Sequence, residues 1–85
     1  MFIVNSQLGT TKYPIDELIN NINHLNLKTI LRTQELTYDF VVNYILNPKY
    51  QFTPEEKSID YYIVLFNQPH LDPKKLKNLI DSQQK

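Results

Sequence analysis

From residue 14 onward the apolar residues recur at helical spacing, and prolines and capping residues divide them into segments. Pro14 opens the first, with Asp16 and Glu17 in the turn where a helix dipole favours acids. Ile15, Leu18, Ile19, Ile22 and Leu25 then mark one apolar face, with Asn20, Asn21 and Asn23 opposite. Asn26 is placed to cap a second helix, Leu27–Gln34, with Leu27, Ile30 and Leu31 inward. Thr37 can cap a third, ending near Leu46, with Phe40, Val41, Tyr44 and Ile45 as its apolar side. Asn47-Pro48 stops it, because the residue before proline disfavours helix.

Thr53-Pro54-Glu55-Glu56 has the order of a capping box and opens a fourth helix, expected to run unbroken to about Asn67. Its face would be Ile59, Tyr62, Ile63 and Phe66. Tyr61, Val64 and Leu65 broaden that face, so the helix is expected at the centre of the bundle. The run Tyr61–Phe66 could also be a buried strand, but the capping box upstream favours helix. Asp72-Pro73 starts a fifth helix, Pro73 to Ser82, with Leu76, Leu79 and Ile80 inward. Residues 1–13 read as an N-terminal arm opening on a short β-like run, Phe2–Val4, and 83–85 as a frayed tail. The expected fold is therefore all-α: a small five-helix bundle spanning 14–82, preceded by a short arm.

The second and third helices, joined by a short turn, have the apolar spacing of a helix-turn-helix. Counting Leu27 as the first position, Ile30 is fourth, Leu36 tenth, Val41 fifteenth and Tyr44 eighteenth, and Thr37 stands at the cap of the second helix. The stretch Leu27–Asn47 resembles the headpiece of the lactose-repressor type. The likeness continues through Asn47, the loop Lys49–Phe52 and Thr53-Pro54-Glu55-Glu56. Phage-repressor-like domains are a looser match. Two positions depart from the pattern. Leu31 stands where a small residue usually sits, and Glu35 where a glycine with positive φ usually turns the chain. The resemblance implies contact with double-stranded DNA through Thr37, Tyr38, Asp39 and Asn43 of the third helix, backed by Lys28, Arg32 and Lys49. That face holds no Arg or Lys for guanine, although Asn43 could read adenine. A reader this weakly charged would need a homodimer spanning two half-sites.

Charge and composition narrow the alternatives. Nine Lys plus Arg balance nine Asp plus Glu over 85 residues, so strong nonspecific binding to nucleic acid or membrane is not expected. A mass of 10.1 kDa implies that roughly 64% of the unfolded surface is buried on folding, enough for one small core. There is no Cys, hence no disulfide or thiolate zinc site, and the single Gly9 rules out a glycine-rich phosphate loop. His24 and His70 have no ligand-spaced partner, so no metal or other cofactor is expected. Glu55, Glu56 and Asp60 read as caps and a solvated face rather than an acid–base pair, and Lys74, Lys75 and Lys77 likewise as solvated. No catalytic constellation stands out, and a non-enzymatic protein is expected. Met1–Val4 is too short for a secretory leader and no run is long enough to span a membrane, which together predict a cytoplasmic protein. The absence of Ala, nine Asn and eight Lys against one Arg fit an AT-rich coding sequence, as in phages and mobile elements.

The aromatic surplus points to a different function. Ten Tyr and Phe exceed what 85 residues can bury, and exposed Tyr suits protein interfaces. Tyr50, Phe52, Tyr61 and Tyr62 are the candidate contacts. Two functions follow as expectations: weak or dimer-dependent DNA binding through the helix-turn-helix-like unit, or a protein-binding module of the inhibitor or adaptor kind.

Overall fold

The chain is seen here as a computed structural model that describes residues 2–83. It is all-α, with no strand among the described residues. Helix α1 spans Asn5–Leu8, α2 Ile15–Asn20, α3 Leu27–Thr33 and α4 Tyr38–Phe40, which widens without a break into a π-helix over Val41–Ile45. A 3-10 turn, Pro48–Tyr50, follows. The chain then forms α5 (Pro54–Lys57), α6 (Tyr61–Asn67) and α7 (Pro73–Gln83). Its accessible surface of 5458 Å² lies close to the roughly 5,300 Å² expected for a folded chain of this mass.

The caps act as their residue types suggest. Asn26 Oδ1 accepts from the Thr29 amide at 3.0 Å, and Thr37 Oγ1 from the Phe40 amide at 3.3 Å. Glu56 closes the capping box with Thr53. The π segment is marked by a bond from the Leu46 amide to the Val41 carbonyl at 2.9 Å, one residue longer than an α-helical bond.

The arrangement departs from the expected five-helix bundle in four ways. First, Phe2–Val4 is extended but pairs with no strand, and the 2–13 segment contributes to the core. Ile3 and Leu8 are fully buried, Asn21 Oδ1 holds the Ile3 amide at 2.9 Å, and His24 Nε2 donates to the Ile3 carbonyl at 2.7 Å. Second, the first expected helix ends at Asn20, because Asn21 turns inward and gives its side chain to backbone groups of Ile3 and Glu17. Third, the expected helix from Thr53 to Asn67 is broken. Ser58 ends α5, with its hydroxyl donating to the Glu55 carbonyl at 2.6 Å. Ile59 drops into the core, and Asp60 then caps a new helix by accepting from the Ile63 amide at 2.9 Å.

Fourth, the central helix is α3, not the aromatic-rich one. Leu27, Ile30 and Leu31 are fully buried, and α3 packs against α1, the π-helix, α5 and α6. The break at residues 58–60 rephases α6 so that its one buried residue is Val64. Tyr62 and Phe66, each two residues from Val64 and so about 200° round the helix from it, face outward. Of the expected fraying at 83–85, Gln83 closes α7, and 84–85 lie outside the described residues.

Candidate functional site

Two surfaces carry candidate chemistry: the α3–turn–α4 unit and the outer face of α6. In the first, Ile30, Leu36 and Val41 are buried and Tyr44 half-buried. Leu31, where a small residue is usual, is fully buried. The turn uses no left-handed residue, and no residue with positive φ occurs among the described ones. Gln34 is extended (φ −112°, ψ 150°), as is Thr37 (φ −94°, ψ 165°), so Glu35 takes the glycine position without backbone strain.

Buried amides hold this turn in place. Gln68 Nε2 donates to the carbonyls of Leu31 and Gln34 at 2.6 and 2.7 Å, and its Oε1 accepts from the Leu36 amide at 2.9 Å. Gln34 does the same for the arm, donating to the Leu8 and Thr11 carbonyls and accepting from the Tyr13 amide. His70 Nε2 donates to the Leu36 carbonyl at 2.8 Å. Both histidines thus serve as backbone clamps, and no group of three or more metal-ligating side chains exists among the described residues. Glu56 is a buried clamp as well. Its carboxylate accepts from the amides of Leu27, Phe52 and Thr53 at 2.8–2.9 Å, so it belongs to no solvated acidic face.

The residues expected at DNA are distributed as follows. Asp39 and Asn43, four apart, are exposed on the outward side of α4 and the π-helix, while Thr37 is engaged as a cap. Tyr38 is half-buried. Its hydroxyl accepts from the Asp72 amide at 2.7 Å, and the Lys75 ammonium lies 4.6 Å from its ring centroid. Arg32 is exposed at the end of α3, and Lys28 is half-buried near its start. Lys49 is exposed, 5.9 Å from the Tyr50 ring. Two cations that sequence reasoning passed over also reach this unit: Lys12, donating to the Thr33 carbonyl, and Lys75. Nothing in their sequence neighbourhood signals it, because 21 and 37 residues separate each from its contact. An open, mainly apolar groove of about 450 Å³ lies alongside, bordered by Tyr13, Ile15, Leu36, Tyr38, His70 and Leu71.

Among the expected interface aromatics, Tyr50 is half-buried with its ring 5.0 Å from Tyr44, which in turn lies 5.2 Å from Phe40. Tyr61 is half-buried, and its hydroxyl donates to the Pro73 carbonyl at 2.9 Å. Phe52 is 62% exposed, Tyr62 76% and Phe66 87%. Phe66 was expected inward; the break before α6 brings it out beside Tyr62. Between Tyr61 and Asn67 no residue carries a charge. Asp60, at the start of this face, is fixed as a cap. Asp72, adjoining the Pro73 that Tyr61 holds, is fixed by a bond from the Lys74 amide to its Oδ1 at 3.3 Å. No helix among the described residues is long and apolar enough to cross a membrane.

Comparison with protein families, with curated proteins and with solved structures gives no match to this chain.

Proposed function

We propose that this chain is a non-enzymatic protein-binding module that docks through the outer face of α6. The reading rests on Tyr62 and Phe66, left 76% and 87% exposed one turn apart on a helix without charge. Covering a bare aromatic side chain is worth about 2 kcal/mol, and Tyr and Phe side by side form the kind of anchor that dominates interfaces. The surrounding protein keeps them outward at the cost of a helix break, capped separately by Asp60. A photo-crosslinking residue at position 66 tests the reading in extracts of the source cell. It should give one discrete protein adduct, competed by excess wild-type chain and not by the Tyr62→Ser/Phe66→Ser double variant. Equal competition by the variant overturns it.

A second reading, DNA binding through α3 and α4, is favoured by one observation. Arg32, Lys12 and Lys75, from three separate segments, gather round the turn between the helices. Labelled duplex anisotropy at about 50 and about 200 mM salt tests it. Binding that weakens steeply with salt and is lost on Lys12→Ala and Lys75→Ala supports it. No binding at high micromolar protein removes it.

A further inference from the structure

We propose that the turn between α3 and α4 is a second binding site, which takes an extended segment of another protein as an added strand. The site is separate from the α6 face and does not depend on it. Backbone pattern, groove and charge carry the inference.

The stretch Gln34–Thr37 has the geometry of a short strand. Gln34 and Thr37 are both extended. The side chains alternate, with Gln34 and Leu36 buried and Glu35 and Thr37 exposed. In such a stretch the main-chain groups of successive residues point to opposite edges. One edge is filled: Gln68 Oε1 accepts from the Leu36 amide, and His70 Nε2 donates to the Leu36 carbonyl. The other edge is open. The Glu35 amide, the Glu35 carbonyl and the Thr37 amide make no hydrogen bond among the described residues. They form a row of donor, acceptor and donor, with the two amides roughly 6.6 Å apart, the two-residue repeat of a strand. A second extended main chain matches that row. In an antiparallel pair, one residue exchanges both bonds with Glu35, and the carbonyl two positions before it accepts from the Thr37 amide. The row ends there, because the Thr37 carbonyl is taken by the Val41 amide.

The open apolar groove of about 450 Å³ runs along Glu35–Tyr38. Its volume falls within the range of about 300–1,000 Å³ typical of ligand sites. Side chains of a paired strand alternate between its two faces. The peptide residue level with Leu36 therefore points to the Leu36 side, where Tyr13, Ile15 and Leu71 border the groove. That residue is apolar.

Glu35 is the only Lys, Arg, Asp or Glu that lines the groove, and it forms no ion pair among the described residues. Lys12 and Lys75 are engaged with the Thr33 carbonyl and the Tyr38 ring, and neither they nor Arg32 lines the groove. Side chains directly opposite in an antiparallel pair are neighbours, where opposite charges attract and like charges repel. The residue facing Glu35 is therefore basic. The same rule disfavours a second copy of this chain, because the two-fold pairing that uses both Glu35 groups sets Glu35 against Glu35. The occupant is a segment of a different protein, with an apolar residue followed by a basic one.

The capped peptide acetyl-Ser-Thr-Leu-Lys-Ser-amide, titrated into the wild-type chain and followed by amide NMR shifts, tests this. At millimolar peptide the amides of residues 35–38, 13, 15 and 71 should shift. N-methylation of the peptide's lysine amide, which bonds the Glu35 carbonyl, should weaken binding about tenfold. The same change at the leucine amide, which points away, should not. Serine in place of the leucine should abolish binding. Glu35→Lys should weaken binding about fivefold, and a peptide with glutamate in place of lysine should recover the loss. Tyr62→Ser/Phe66→Ser should bind the peptide as the wild type does. No shift at millimolar peptide, shifts only outside the groove, or equal loss on methylating either amide overturns the added strand and leaves the α6 face standing.

Discussion

At the residue scale, this protein is held by amides whose side chains stitch distant backbone together. Gln68 alone satisfies three main-chain groups at Leu31, Gln34 and Leu36 in a buried site. Gln68→Leu keeps the bulk but strands three polar groups. It should destabilise the fold by about 3 kcal/mol, visible as a fall in Tm of more than about 10 °C for a domain of this size. A fall under 3 °C would mean that water replaces the amide freely. Gly9 presents the reverse case. Its φ of −75° is open to any residue, and a Cβ there would meet nothing within 4 Å. Gly9→Ala should therefore raise stability by about 0.4–1 kcal/mol by restricting the unfolded chain, measurable by urea denaturation at unchanged slope. Neither role can be read locally. Gln68 and Gln34 are ordinary polar residues in the sequence, and only the fold reveals their partners 32–37 and 21–26 positions away.

At the element scale, the segment before α2 was read as an arm and is a structural piece. Ile3 and Leu8 join the same core as α3 and the π-helix. Ile3→Ala should cost about 2–4 kcal/mol, against the near-zero change expected of a detached arm; thermal unfolding of the two proteins decides between them. Three helix starts were legible because their caps are local chemistry: Asn26, Thr37 and Thr53 each accept a bond from an amide three residues on. The π-helix was not legible. Over two turns, an apolar pattern does not distinguish bonds four residues apart from bonds five apart. The break before α6 was not legible: Asp60 read as part of a solvated acidic face of one continuous helix, although it is the cap of a new one. The strong apolar run behind it, joined to Ile59, suggested one continuous helix with Tyr62 and Phe66 inward.

At the scale of the whole molecule, that rephasing creates the candidate site. Because Tyr62 and Phe66 do not pack against the core, Phe66→Ser should leave Tm within about 2 °C of wild type, as surface substitutions do. A fall of 8 °C or more would place Phe66 in the core and remove the docking face. The same experiment on Val64, which is fully buried beside them, gives the contrast: Val64→Ser should lower Tm by well over 5 °C. The aromatic excess was visible in composition, and its surplus over the core is real. Which rings carry it was not: Tyr50 and Tyr61 turn to Tyr44 and Pro73, and Phe66 turns out.

The sequence by itself determined the helical class, most of the helix starts and most of the core, because apolar periodicity and capping act over three or four neighbouring residues. It also determined the absence of thiol chemistry, since composition alone settles that. The tertiary structure decided what depends on long-range geometry. It made α3 rather than α6 central, because α3 alone is enclosed by α1, the π-helix, α5 and α6. It brought Lys12 and Lys75 to the α3–α4 turn. It turned Tyr62 and Phe66 outward, because the break at residues 58–60 starts α6 afresh, and a periodicity read straight through that break does not show the new phase.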